Sequence, residues 1–201
     1  MTDLIDALER IYAWLQKNKP EYMYRFQPGL PLDYLQKKLK KFPRYLPQEL
    51  YTLYQWHNGT NNEDWDCGIF VYHSFLDIDY AMKQAEFGFI NHSSQIRNRQ
   101  REYLPTYVFP FCDFEGEHFV VEGMDYESET APVYFMDQLG EIHLAFTSLT
   151  TMMLTIAECY ETGIYEVAED RYIDIVDYAA FGAVRLAYNP GTVPKIYDEG
   201  C

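Results

Sequence analysis

The chain has 201 residues, 48% of them hydrophobic and 17% aromatic, and carries 31 Asp and Glu against 16 Lys and Arg. That length and apolar content suit one well-filled core and exclude a disordered chain. The formal net charge of −15 excludes nucleic acid as a direct partner, because phosphate binding needs clustered cations.

Leu4, Ile5, Leu8, Ile11, Tyr12 and Leu15 recur at helical spacing, so residues 3–18 form a predicted amphipathic helix. The opening MTDLIDALER lacks the basic start and apolar core of a signal peptide. A cytoplasmic location follows, with Cys67, Cys112, Cys159 and Cys201 as reduced, mostly buried thiols and no glycan on the triplets at Asn58 and Asn91. No apolar run reaches the ~18–20 residues that span a bilayer, so no membrane partner is expected. After Pro20 and Pro28-Gly29, LDYLQKKLKKF puts Leu32, Leu35, Leu39 and Phe42 on one helix face and a solvated row of lysines on the other.

LPQELYTLYQWHNG (residues 46–59) predicts a third helix. Pro47 suits its first turn, and Glu49 lies near the positive end of its dipole. Advancing about 100° per residue from Leu46 places Leu50, Leu53, Tyr54 and His57 within about 80° of it. Trp56 flanks that stripe, and Asn58-Gly59 supplies a left-handed stop. His57 therefore reads as a hydrogen-bonded structural histidine on the apolar side, not a catalytic one.

Beyond the polar loop TNNEDWD, CGIFVYHSF is rich in β-formers and predicts a strand. Asp77 caps the helix that begins DIDYAMKQAEF. TYVFPFCDFEGEHFVVEG is a hairpin around a Glu-Gly turn, with Pro110 at an edge or bulge. APVYFMDQLGEIHLAF makes a second hairpin. Ser148 or Thr147 then caps LTTMMLTIAECYETG, a helix that stops at Gly163. A last helix is predicted near 172–187, followed by Asn-Pro-Gly. Consecutive hairpins among helices predict an α+β fold, a largely antiparallel twisted sheet covered by helices, as a single domain over 1–201.

Catalytic signals are absent. There is no GxxxxGK[ST], GxGxxG or GxSxG, and the five histidines (57, 73, 92, 118, 143) include no pair at ligand spacing. Cys112 and His118 face each other across the predicted hairpin, which raises a thiol nucleophile, but a buried cysteine beside a turn histidine is the commoner arrangement. Glu115 and Glu117 serve equally as an acid/base pair or as a solvated turn. Glu63, Asp64 and Asp66 lack calcium-loop spacing. The expectation is no catalytic residue, no metal and no cofactor.

The acidity is unevenly spread. Residues 1–50 hold nine Lys and Arg against six Asp and Glu, whereas 102–170 hold fifteen acids and no Lys or Arg. Such a field suits a basic protein partner, or serves solubility alone. For a basic partner, the predicted contact residues are Asp113, Glu115, Glu117, Glu122, Asp125, Glu127 and Glu129.

The ordered series Leu46-Pro47, Leu50, Leu53-Tyr54, Trp56, Asn58-Gly59, then Gly68-Ile69-Phe70, then Leu104-Pro105 and Val108-Phe109-Pro110-Phe111 resembles the SUKH superfamily (SMI/KNR-like). The likeness continues through the Glu115-Gly116-Glu117 turn with Phe119-Val120-Val121, Pro132-Val133-Tyr134, and Ser148-Leu149 opening a helix that ends Tyr160-Glu161-Thr162-Gly163. It covers about 30–165, and leaves an N-terminal helix and a C-terminal extension outside. That superfamily includes a yeast cell-wall regulator and many bacterial immunity proteins. The resemblance implies an α+β domain and a binding role without catalysis. Two roles follow: an immunity protein that neutralises a basic toxin, or an intracellular regulator or scaffold without a toxin partner.

Overall fold

The computed structural model describes residues 2–61, 70, 72–86, 107–168, 173–193 and 196–197. Glu63, Asp64, Asp66, Cys67, Gly68-Ile69, Asn91, His92, Leu104-Pro105 and Cys201 lie outside the described residues, as does the start of the strand expected from residue 67. Helix α1 (Thr2–Asn18) buries Leu4, Leu8, Ile11 and Leu15 at the expected spacing. A 3-10 turn leads to β1 (Phe26–Pro28) and α2 (Leu32–Leu39), where Leu35 and Leu39 are buried and Leu32 is not. Helix α3 (Gln48–Trp56) buries Leu50, Leu53 and Tyr54.

Residues 57–60 depart from the expected helix stop. They form β2 (His57–Thr60), which pairs antiparallel with β1. Gly59 does adopt a left-handed φ of 77°, but its second role is close approach. A Cβ there would sit 2.5 Å from the Asp77 backbone nitrogen, so only glycine fits. Strand β3 (Ser74–Phe75) and α4 (Ile78–Gln84) follow, and the Asp77 carboxylate accepts from the N–H groups of Asp79 and Tyr80 at 3.0 and 2.9 Å. The expected N-cap is in place.

Strands β4 (Val108–Phe114), β5 (Glu117–Glu122), β6 (Val133–Met136) and β7 (Ile142–Phe146) complete a five-stranded antiparallel sheet in the order β3-β4-β5-β6-β7. The fold is α+β. Pro110 borders a bulge, because Pro110 pairs with Val120 while Cys112 pairs with Phe119; Phe111 is the extra residue. Helix α5 (Leu149–Glu161) begins at a capping box between Ser148 and Thr151. Gly163, φ 73°, follows its end.

The C-terminal part corrects the sequence reading. The expected helix near 172–187 is a short strand followed by a helix: β9 (Ile173–Ile175) pairs with β8 (Tyr165–Val167), and α6 spans Tyr178–Tyr188. Ile173 and Ile175 are buried on one side of Asp174, a two-residue alternation that belongs to a strand. One buried cluster runs from Leu4 to Ile196 and takes in helical residues such as Leu8, Leu53 and Met153 with Phe109, Phe119 and Phe135 of the sheet. Val108, Val120, Tyr134 and Met136 form a smaller cluster on the opposite sheet face.

Candidate functional site

The seven acids predicted to meet a partner fall into three places. Asp113, Glu115 and Glu117 stand at one end of the sheet, where the β4–β5 turn lies beside the β6–β7 turn. Glu115 takes a left-handed φ of 49° in that turn, and Gly116 sits where a Cβ would be 4.0 Å from Gln138 Cγ. Asp137 and Glu141 of the neighbouring turn join them. Burial, then the charges of Asp137 and Glu115, push the Glu117 carboxyl up from its ordinary value. This end of the sheet is a crowded set of carboxylates.

Glu122 stands apart. It is 4% exposed and accepts a hydrogen bond from the Tyr134 hydroxyl at 3.3 Å, so it is a buried structural group in the free protein. It shares the outer sheet face with Asp113, while Glu117 lies on the other, as strand alternation requires.

Asp125, Glu127 and Glu129 occupy the third place, a strap of residues 123–130 laid along the start of α3. Tyr45 and Met124 exchange backbone N–H···O bonds of 3.0 and 2.9 Å. Farther along, the N–H groups of Gln48 and Glu49 donate to the Ser128 and Glu129 carbonyls at 3.0 and 3.1 Å. Strap carbonyls thus satisfy two donors that the first turn of a helix leaves open. The Arg44 guanidinium pairs with Asp125 at 2.8 Å and lies 4.2 Å over the Tyr107 ring centre. Between the strap, the end of α2 and the start of α3 lies a groove of about 540 Å³, whose walls include Leu39, Lys40, Tyr45, Tyr51, Met124 and Glu127.

The thiol–histidine pair does not form. The two-residue turn sets Asp113 opposite His118 and Cys112 opposite Phe119, so Cys112 and His118 point to opposite faces. His118 Nε2 lies 2.9 Å from Asp113, and Cys112 is fully buried with its thiol pushed well up by desolvation. His57 Nδ1 meets the Gln27 carbonyl at 2.8 Å, and its ring stacks on Tyr12 at 5.6 Å between centres. That is the structural role expected of it.

Among the described residues, Asp137, Glu141 and His143 bring ligand atoms within 4.8 Å of one another and could hold a metal ion. Asp137 Oδ1 already accepts the N–H groups of Leu139 and Glu141, at 2.9 and 2.8 Å, which accounts for its position as the fixing group of the turn. No helix among the described residues is long and apolar enough to cross a membrane.

The groove was not legible in the sequence. It depends on a strap reaching back some eighty residues to α3, and no local pattern reports that contact. Composition gave one hint. Nineteen tyrosines are more than a core needs, and several stand at the surface here, Tyr45 at 52% and Tyr126 at 60% exposure.

No curated protein matches the chain. Residues 29–155 match the model of the SMI1 / KNR4 family (SUKH-1), a span that contains α3, the strap and the whole five-stranded sheet. The chain belongs to the SMI1 / KNR4 family (SUKH-1).

Proposed function

We propose that this protein is a non-catalytic binding protein of the immunity type, one that neutralises a basic toxin domain by covering it in the cytoplasm. Membership of a family that includes toxin-immunity proteins and regulators supports a binding role. The observation that carries the choice of a basic partner is the charge distribution. Residues 102–170 carry fifteen carboxylates and no Lys or Arg, and the strand pairing gathers several of them at two adjacent turns and along the strap. A field of one sign speeds encounter with an oppositely charged partner.

The test is binding to the product of the neighbouring gene at two salt concentrations. It uses wild type, a Glu115→Gln/Glu117→Gln variant and an Asp125→Asn/Glu129→Gln variant. Glu122 is left intact, because its loss perturbs the fold. Neutralised rim carboxylates slow association and flatten its salt dependence. Binding indifferent to salt and to both variants removes the electrostatic mechanism. No binding, together with no protection of cells that express that product, favours a regulator of the same fold.

A further inference from the structure

We propose that the groove between α2, α3 and the strap receives a single lysine or arginine side chain of the partner protein, with Glu127 as its counter-ion and the rings of Tyr45 and Tyr51 as walls. This deepens, and rests on, the reading of the protein as a binder of a basic partner.

Charge complementarity picks out the occupant. Asp125 is held by Arg44, and Arg44 is in turn stacked on Tyr107. Glu127 makes no ion pair or hydrogen bond among the described residues, and it stands close enough to Tyr51 to help burial raise that hydroxyl's pKa. An uncommitted carboxylate beside tyrosine rings suits a cation on an aliphatic stem. The stem packs on Leu39 and Met124 while the charged head meets the carboxylate and the ring faces. The volume of about 540 Å³ is in the range of a pocket for one such side chain with its flanking backbone.

Lys40 limits the match. It follows the last residue of α2 and lines the groove, and its charge repels a second cation. The groove therefore selects one basic residue with neutral or acidic neighbours over a polybasic run. At the sheet end Asp113 is engaged with His118 and Asp137 with backbone N–H groups, whereas Glu117 is crowded by the charges of Asp137 and Glu115. Exposed Tyr45 on the groove wall adds a residue type enriched in binding hot spots.

The experiment uses the full chain, isotopically labelled for amide NMR, with capped pentapeptides Gly-Ser-Xaa-Ser-Gly in which Xaa is arginine, lysine, citrulline or glutamate. The arginine and lysine peptides are expected to shift amide signals of residues 44–51 and 124–128 saturably, and the other two are not. Glu127→Gln is expected to weaken that binding about fivefold or more, and Tyr45→Ala to weaken it as well. Shifts centred on 113–117 and 137–141, equal binding of citrulline, or an inert Glu127→Gln overturn the proposal. The two readings fail separately. If the neighbouring gene product binds and Glu127→Gln leaves its affinity unchanged, the groove falls and the basic-partner reading stands. If that product does not bind but the peptides behave as expected, the groove stands and the immunity reading falls.

Discussion

Glu49 is the residue at which one change tests most of the packing around α3. It is 1% exposed, and its carboxylate leaves its own helix to accept the N–H groups of Leu149 and Thr150, at 3.2 and 2.9 Å. It thus caps α5 from α3. Glu49→Ala orphans two amide donors at a buried helix start. Each such donor costs about 1–3 kcal/mol, offset by relief from burying a charge, so a loss of about 2–4 kcal/mol is expected. Glu49→Gln keeps one acceptor and removes the charge, and about half that loss is expected. In urea, with a slope of about 2 kcal/mol per M for a chain of this size, Glu49→Ala lowers the midpoint by about 1–2 M. The pH dependence has a definite sign. Desolvation raises the Glu49 carboxyl above its ordinary 4.5, against the hydrogen bonds that lower it. The folded state therefore holds the Glu49 proton more tightly than the unfolded chain. This group's contribution is largest below 4.5 and declines as pH rises through the raised folded value. Wild type should accordingly gain on Glu49→Gln as pH falls through that window. An alanine variant within about 0.5 kcal/mol of wild type, or a wild-type advantage that shrinks as pH falls, refutes the reasoning.

His57→Ala loses the bond to the Gln27 carbonyl and the stack on Tyr12, and should cost about 1–3 kcal/mol in chemical denaturation. Gly59→Ala forces a Cβ to 2.5 Å from the Asp77 nitrogen at a positive φ and should cost at least about 2 kcal/mol. By contrast, Gly182→Ala in α6 meets nothing within 4 Å and should raise stability by about 0.5–1 kcal/mol. Burial pushes the Cys159 thiol up to about 12 and the Cys112 thiol well up. Alkylation at pH 8, mapped by peptide mass spectrometry, should therefore spare both in the native protein and reach both in urea.

Hydrophobic period and punctuation determined the local elements. Leu4, Leu8, Ile11 and Leu15 specify α1, and the Asp77 and Ser148 caps mark the starts of α4 and α5, because each signal acts within a turn or two of chain. The two hairpins were legible for the same reason, with Glu115-Gly116 and Asp137–Gly140 as their turns. Strand alternation puts Glu117 and Glu122 on opposite faces, so the strand acids do not share one surface. The expected helix near 172 misread a short alternating run, Ile173-Asp174-Ile175, that becomes a strand only because Tyr165–Val167 is there to pair with it. Contacts between distant segments were decided by the tertiary structure alone. Glu49 was read as complementing its own helix, yet packing of α3 against α5 turns it onto another. Asp113, not Cys112, meets His118, because the hairpin register fixes which neighbours share a face. The groove exists only where the strap's carbonyls meet the open N–H groups of α3. Local propensity carries no information about which distant backbone will satisfy those donors.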